Sequence, residues 1–155
     1  MMENMDIKFM QVALDLANKA AEQGEIPVGA VIVAPNGDII AGAYNLRETE
    51  KSAVAHAEIL AIEQACERLG GWRLCGCTLY VTLEPCPMCA GALVNSRIDR
   101  VVFGAYDMQA GCCGSVVNFN AYPFNHSFEI VGGVMETECR EVLTEFFNNK
   151  RKNRD

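Results

Sequence analysis

Cys86 and Cys89 stand three positions apart in Pro85-Cys86-Pro87-Met88-Cys89, and His56 precedes Glu58 by two in His56-Ala57-Glu58. On a first helical turn, a C-x-x-C spacing directs both sulfurs to one metal, and the positive end of the helix favours the thiolate that a soft ligand must become. Two thiolates and one imidazole suit zinc and leave the fourth tetrahedral position open, as catalytic rather than structural sites do. Zinc with two thiolates and a neutral imidazole carries no net formal charge. A water in the open position is therefore less acidified than beside three imidazoles, and it needs a base to take its proton. Glu58, at a helix start two residues beyond His56, can share one pocket with it, and a carboxylate shielded from water is a tunable acid and base. His56, Cys86 and Cys89 are thus read as metal ligands, and Glu58 as a proton shuttle that does not bind metal.

Other readings of these cysteines exist. A single C-x-x-C also serves as a redox pair or as half of a structural zinc site. Cys75 and Cys77 would complete a four-cysteine site, at the cost of leaving the His-x-Glu idle. Cys66, Cys112, Cys113 and Cys139 read as small hydrophobes or exposed thiols, and Met88 as packing.

The elements that must position these groups follow from local patterns. Asp6 is expected to cap a helix with apolar positions Ile7, Met10, Leu14, Ala17 and Ala21, stopping at Gly24. Val28 to Ala34, the turn Pro35-Asn36-Gly37-Asp38 and Ile39 to Tyr44 predict a β-hairpin. A helix follows from near His56 to about Leu69, then a strand Thr78 to Leu83, which ends just before a short helix from about Pro87 to Val94. Arg100 to Phe103 and Phe128 to Val131 read as strands, and Thr137 to Lys150 as a final helix burying Phe146 and Phe147; Ala105 to Asn125 is the least regular stretch. Strands alternating with helices after an opening hairpin predict an α/β fold whose mixed sheet has parallel later strands and helices on both faces. In such sheets ligands bind beyond the carboxyl ends of strands, where the starts of the two candidate helices converge.

The chain has 155 residues, the length of one domain with one core. Half of its residues are hydrophobic and 21% charged, an ordinary globular composition that excludes disordered or fibrous classes. The longest apolar run, Val28 to Ala34, is far below the roughly 18 to 20 residues that span a bilayer, so no membrane association is expected. The start carries Glu3 and Asp6 and has no secretory pattern, so the eight cysteines are expected in a reducing cytoplasm, free of disulfides. The net charge of −7 conceals an asymmetry: Lys150, Arg151, Lys152 and Arg154 lie in the last six positions. A single domain, 1–155, with a short basic tail at about 150–155, follows.

The His-Ala-Glu and Pro-Cys-Pro-Met-Cys pair resembles the signature of zinc deaminases. The likeness extends to Val28-Gly29-Ala30-Val31, Thr78 to Ala92, Ser96-Arg97-Ile98, Val101 to Ala105, Asn125-His126 and the basic-ended helix with Phe146-Phe147. In order and spacing these resemble bacterial tRNA-specific adenosine deaminases, within the cytidine and deoxycytidylate deaminase superfamily, over nearly the whole chain. The resemblance implies a three-layer α/β/α cytidine-deaminase-like fold, a homodimer, one zinc per subunit, and conversion of adenosine to inosine at the wobble position of a tRNA anticodon. It also implies that Asn45 sits in the base pocket, and that Val28, Asp107 and Asn125 contact the flipped nucleotide and its neighbours. Ser52-Ala53-Val54 departs from the Asp-Pro-Thr of many relatives. An anticodon stem-loop suits such a pocket, because its unpaired bases extrude at low cost. DNA is not an expected partner. The alternatives are a deaminase of a free base or nucleoside, such as guanine or cytosine, and a binding module with a closed structural zinc.

Overall fold

Apolar residues on both faces of the central strands require cover on both sides, and the sheet has it. The computed structural model describes residues 2–154. In chain order the elements are α1 (Met2–Glu22), β1 (Gly29–Val33), β2 (Ile39–Tyr44), α2 (Ala57–Leu69), β3 (Thr78–Leu83), α3 (Pro87–Asn95), β4 (Arg100–Ala105), a 3-10 turn Phe119–Ala121, β5 (Glu129–Val131) and α4 (Glu136–Arg154). The five strands lie in the order β2-β1-β3-β4-β5. β1 runs antiparallel to β2 and β3, while β3, β4 and β5 are parallel. This is the expected mixed sheet in an α/β fold with parallel later strands.

Alternate residues along each strand sort into two cores. Ile32, Leu79, Val81, Val101 and Phe103 pack with Ala61, Ile62, Ala65 and Leu93 of α2 and α3. Val31, Val33, Tyr80 and Val102 face Phe9, Met10, Ala13 and Leu14 of α1 and Cys139 of α4. α1 approaches β1 so closely that a β-carbon at Gly29 would strike the Ala13 carbonyl and lie 2.7 Å from the Ala17 nitrogen. Glycine there lets α1 seat on the strand that leads out of the Val28 segment, and the Gly29 N–H donates to Thr82 Oγ1 on β3 at 3.1 Å.

Three local expectations change. Asp6 is no cap: α1 starts at Met2, and Asp6 is buried in its second turn against β3 and β4. Tyr80 Oη donates to it at 2.8 Å, and Arg100 grips both its oxygens at 2.8 Å. The helix is accordingly rotated, with Ile7 half exposed and Phe9, Ala13 and Ala20 buried beside Met10, Leu14 and Ala17. Phe146 is buried but Phe147 is largely exposed, because only one of two adjacent helical positions faces the core. Residues 150–153 continue α4 as helix rather than forming a separate tail; Asp155 and the side chains of Glu3 and Arg154 lie outside the described residues.

Candidate functional site

His56 and Cys86 occupy the N-cap positions of α2 and α3, each with extended backbone (φ −75°, ψ 152° and φ −77°, ψ 175°). At an N-cap a polar side chain usually bends back to a backbone N–H. Neither residue does so, which leaves the imidazole and thiol free to turn towards each other. Pro87 opens α3, where its missing N–H is harmless and its φ is already helical. Cys89 follows on the same turn.

The three donor atoms converge. His56 Nδ1 lies 3.7 Å from Cys86 Sγ and 3.6 Å from Cys89 Sγ, and all three donors fall within 4.8 Å of one another. Zinc bonds of about 2.3 Å to sulfur and 2.0–2.1 Å to nitrogen at a tetrahedral angle place S and N about 3.6 Å apart, so the residues fit zinc. The remaining sulfurs are not drawn in. All eight cysteines are free, and the Cys77 thiol faces the Cys75 carbonyl at 3.9 Å. Among the described residues, His56, Cys86 and Cys89 form the one three-ligand group of this kind.

Electrostatics separate the ligands from the filler. A hydrogen bond from the Cys89 thiol holds the Cys86 thiol down at about 4, against its burial, with help from His56. The same hydrogen bond and burial keep Cys89 protonated in the absence of metal. Burial pushes Cys113 and Cys139 up to about 12, which makes them inert packing thiols. His56 is raised, chiefly by its hydrogen bond to Cys86.

Glu58 is buried in the first turn of α2. Desolvation raises its carboxyl to about 7, its own backbone N–H and His56 opposing the rise and the Cys86 charge adding to it. A carboxyl poised there can take and return a proton at neutral pH.

These groups form one end of a cavity of about 190 Å³, smaller than the roughly 300–1,000 Å³ of drug-sized sites and suited to one flat ring system. Ile26, Val28 and Leu83 give it apolar walls, and Asn45, Arg47, Glu84 and Asp107 polar ones. The structure thus brings Val28, Asn45 and Asp107 to the same cleft as His56, Glu58 and Cys86. Asn45 Oδ1 accepts from the Arg47 N–H at 3.1 Å and its Nδ2 donates to the Ile26 carbonyl at 3.2 Å, which fixes its amide in the wall. Asp107 Oδ1 accepts from the N–H groups of Gln109 and Ala110 at 3.0 and 3.1 Å, so the residue both turns the chain and lines the cleft.

Asn125 is not among the residues lining this cleft. It is exposed, and its neighbour His126 contacts the Ile98 carbonyl at 2.6 Å. Ile98 leads into β4, at the opposite end of the parallel strands from Cys86. The segment is pinned there by Asn120, whose side chain bonds both the N–H and the carbonyl of Phe128.

Two buried carboxylates escaped sequence reasoning, Glu84 in the cleft wall and Glu25 next to the wall residue Ile26. Glu25 accepts from the N–H groups of Glu48 and Thr49 at 3.0 and 2.6 Å and so fixes the turn after Asn45. Glu84 fixes the loop after β4. The one signal for Glu84 is an acidic residue directly after an apolar strand and before the Pro-Cys.

A family model described as the cytidine and deoxycytidylate deaminase zinc-binding region matches residues 3–105. The chain is 56% identical over 148 residues to the tRNA-specific adenosine deaminase of Bacillus subtilis strain 168, covering 95% of this chain and 91% of that one. A solved structure from work on A-to-I editing by tRNA:A34 deaminases at the tRNA wobble position superposes with a TM-score of 0.85 at 44% identity, covering 88% of this chain and 99% of the other. A guanine deaminase structure from Bacillus subtilis is similar over less, with a TM-score of 0.61 at 42% identity, 64% of this chain and 63% of that one.

Proposed function

The chain belongs to the cytidine and deoxycytidylate deaminase family, and from that premise we propose that it deaminates adenosine to inosine at the wobble position of a tRNA anticodon, by zinc-dependent hydrolysis that releases ammonia. The carrying observation is the convergence of His56 Nδ1, Cys86 Sγ and Cys89 Sγ beside the buried Glu58 in a small cleft, in a chain matching a tRNA-specific adenosine deaminase over nearly the whole of both lengths.

His56, Cys86 and Cys89 would hold zinc, which when bound would supply a Lewis acid for the hydrolytic water. Glu58 would take one proton from the attacking water and pass it to the ring nitrogen, then take the second from the hydroxyl so added and pass it to the leaving amine. Its burial keeps the proton in the site between these steps. The carbon bearing the exocyclic amine gains the oxygen and loses the amine as ammonia. Val28 and Leu83 exclude water from the ring faces, while Asn45 and Asp107 contact the base and its neighbours. The position of Asn125 supports no contact with the cleft of its own chain.

The protein acts in the cytoplasm as a homodimer, without a membrane or DNA partner. Among the described residues, no helix is long and apolar enough to cross a membrane. Exposed apolar side chains on one segment, Met108, Val116, Tyr122 and Phe124, favour a protein partner. Lys150, Arg151 and Lys152 at the end of α4, with Arg47 and Lys51, serve the anticodon stem. Arg47 lines the cleft and the Lys150 charge reaches Glu25 beneath the Glu48–Thr49 turn.

The test is incubation of the zinc-loaded protein with a synthetic anticodon stem-loop carrying adenosine at the wobble position, with free adenosine, cytidine and guanine in parallel, and products measured by mass. Inosine from the hairpin alone is the expected outcome. Product from a free base or nucleoside alone overturns the tRNA reading and keeps the zinc chemistry.

A further inference from the structure

Glu84 follows β3 directly, two residues before Cys86, and is 2% exposed. It is not one of the three ligating groups. Its two oxygens instead accept four hydrogen bonds from a single loop. Oε1 accepts from the Asp107 N–H at 3.1 Å and from the Ser115 hydroxyl. Oε2 accepts from the N–H groups of Cys113 at 3.0 Å and Ser115 at 3.1 Å. Alongside, the Cys112 N–H donates to the Pro85 carbonyl and the Glu84 N–H to the Ala105 carbonyl, both at 2.9 Å. Position 111 must be glycine for this nesting: a β-carbon there would fall on the Glu84 carboxylate and 2.5 Å from the Asp107 carbonyl.

Four donors saturate a carboxylate, so its burial is sustained without a counter-ion. Connecting loops ordinarily run free over the surface. This one is built around a buried anion that also lines the cleft, and it carries Asp107 and Ala110 into the same cleft. The anion is covalently two residues from the Cys86 ligand, so the loop and the metal centre share one rigid reference.

We propose that Glu84 is a positioning residue for the deamination: its grip on the Asp107 N–H and the 113–115 turn sets the cleft wall at a fixed distance from Cys86 and Glu58, and so orients the base. This rests on the deaminase reading above. The perturbation is Glu84→Gln. Its amide oxygen can keep the Cys113 and Ser115 N–H groups, and the Ser115 hydroxyl can turn to accept from the new NH2, but that NH2 meets the Asp107 N–H donor to donor. The substitution therefore releases Asp107 while conserving size. Gly111→Ala disturbs the same nest and leaves the charge in place.

Steady-state kinetics on the stem-loop, normalised to bound zinc, supply the readout. Both variants are expected to bind zinc like the parent and to lose about 10- to 100-fold in kcat/KM per bound zinc, as misplacement on the ångström scale does. A merely structural role lowers Tm and the zinc-loaded fraction and leaves kcat/KM per bound zinc within twofold of the parent, and that result overturns the proposal. Should Glu84→Gln and Gly111→Ala fail to fold, Ser115→Ala decides, since it removes only the hydroxyl donor: a several-fold fall per bound zinc supports the role and an unchanged value overturns it. Absence of turnover by the parent chain is a different result, which overturns the deaminase reading and the positioning role with it.

Discussion

Asp6→Asn should destabilise the protein far more than a typical surface change, and the reason lies in what it leaves behind. Asp6 and Arg100 form a bidentate pair with both contacts at 2.8 Å, Asp6 also accepts from Tyr80 Oη at 2.8 Å, and both side chains are largely buried. The remaining carboxylate near Arg100, Glu129, lies 3.3 Å from Nε and is 59% exposed, and Nε makes no hydrogen bond. Breaking a buried pair from one side strands the other charge, a loss of about 3–5 kcal/mol. At about 2–4 °C per kcal/mol for a chain of this size, Tm should fall by roughly 6–20 °C. Urea unfolding of the zinc-loaded protein at pH 7, with Arg100→Met and the double variant completing the cycle, measures it. The double variant should be more stable than Asp6→Asn alone, because it no longer buries an unpaired guanidinium. The difference should also depend on pH. Burial raises the Asp6 carboxyl, but the hydrogen bonds from Arg100 and Tyr80 and the guanidinium charge outweigh it and hold it below the ordinary carboxylate value. A carboxyl depressed in the folded state contributes stability that is complete above the unfolded value near 3.8 and is lost as pH falls through the folded one. Parent and variant should therefore converge only in strong acid. A loss below about 1 kcal/mol at pH 7, the size of a surface pair, or a gap that widens on acidification, would refute this account.

Glu58→Gln should retain one zinc per chain, since all three ligand atoms remain, while turnover of the stem-loop falls by about 10²–10⁴, the range for a lost general acid–base; zinc loss or near-normal turnover contradicts the shuttle role. Cys86→Ser should bind zinc substoichiometrically by atomic absorption. Prolonged chelation of the parent should abolish deamination, and added zinc should restore it, provided the ligand set is the catalytic centre. Deleting residues 150–155 should weaken stem-loop binding and reduce the slope of log K against log salt by up to about 3, given four basic residues at about 0.7–0.9 each; an unchanged slope in filter-binding titrations rules the α4 end out as an RNA contact.

The candidate metal-binding and acid–base residues stood out because each local pair is written in short-range spacing. Cys86 and Cys89 meet a common point because they share a helical turn, and His56 and Glu58 because they share a helix start. The hairpin, the parallel later strands and the extents of α2 and α3 followed from Asn-Gly, β-branched runs and Pro at a first helical position. What failed had a local look and a distant cause. Asp6 resembled a cap because a capping carboxylate and a buried ion-pair carboxylate are the same residue before an apolar helix, and its partner lies 94 positions away. Phe147 shared the apolar character of Phe146, but only one of them faces the core.

Glu25 and Glu84 mark the boundary between the two kinds of information. By sequence alone the protein displayed its α/β class and two local pairs of candidate residues, Cys86 with Cys89 and His56 with Glu58, since covalent spacing and helix geometry hold each pair together at short range; only the tertiary structure brought His56 against the two sulfurs, 30 and 33 positions on. Tertiary structure alone decided which carboxylates go inside and what they hold: Glu25 bonds a turn 23 and 24 residues on, and Glu84 a loop 23 to 31 residues on. It also carried Asn125 to the far end of the strands from the metal. A buried carboxylate is tolerable only where several N–H groups converge on it, and that convergence exists only once strands distant in sequence have been laid side by side.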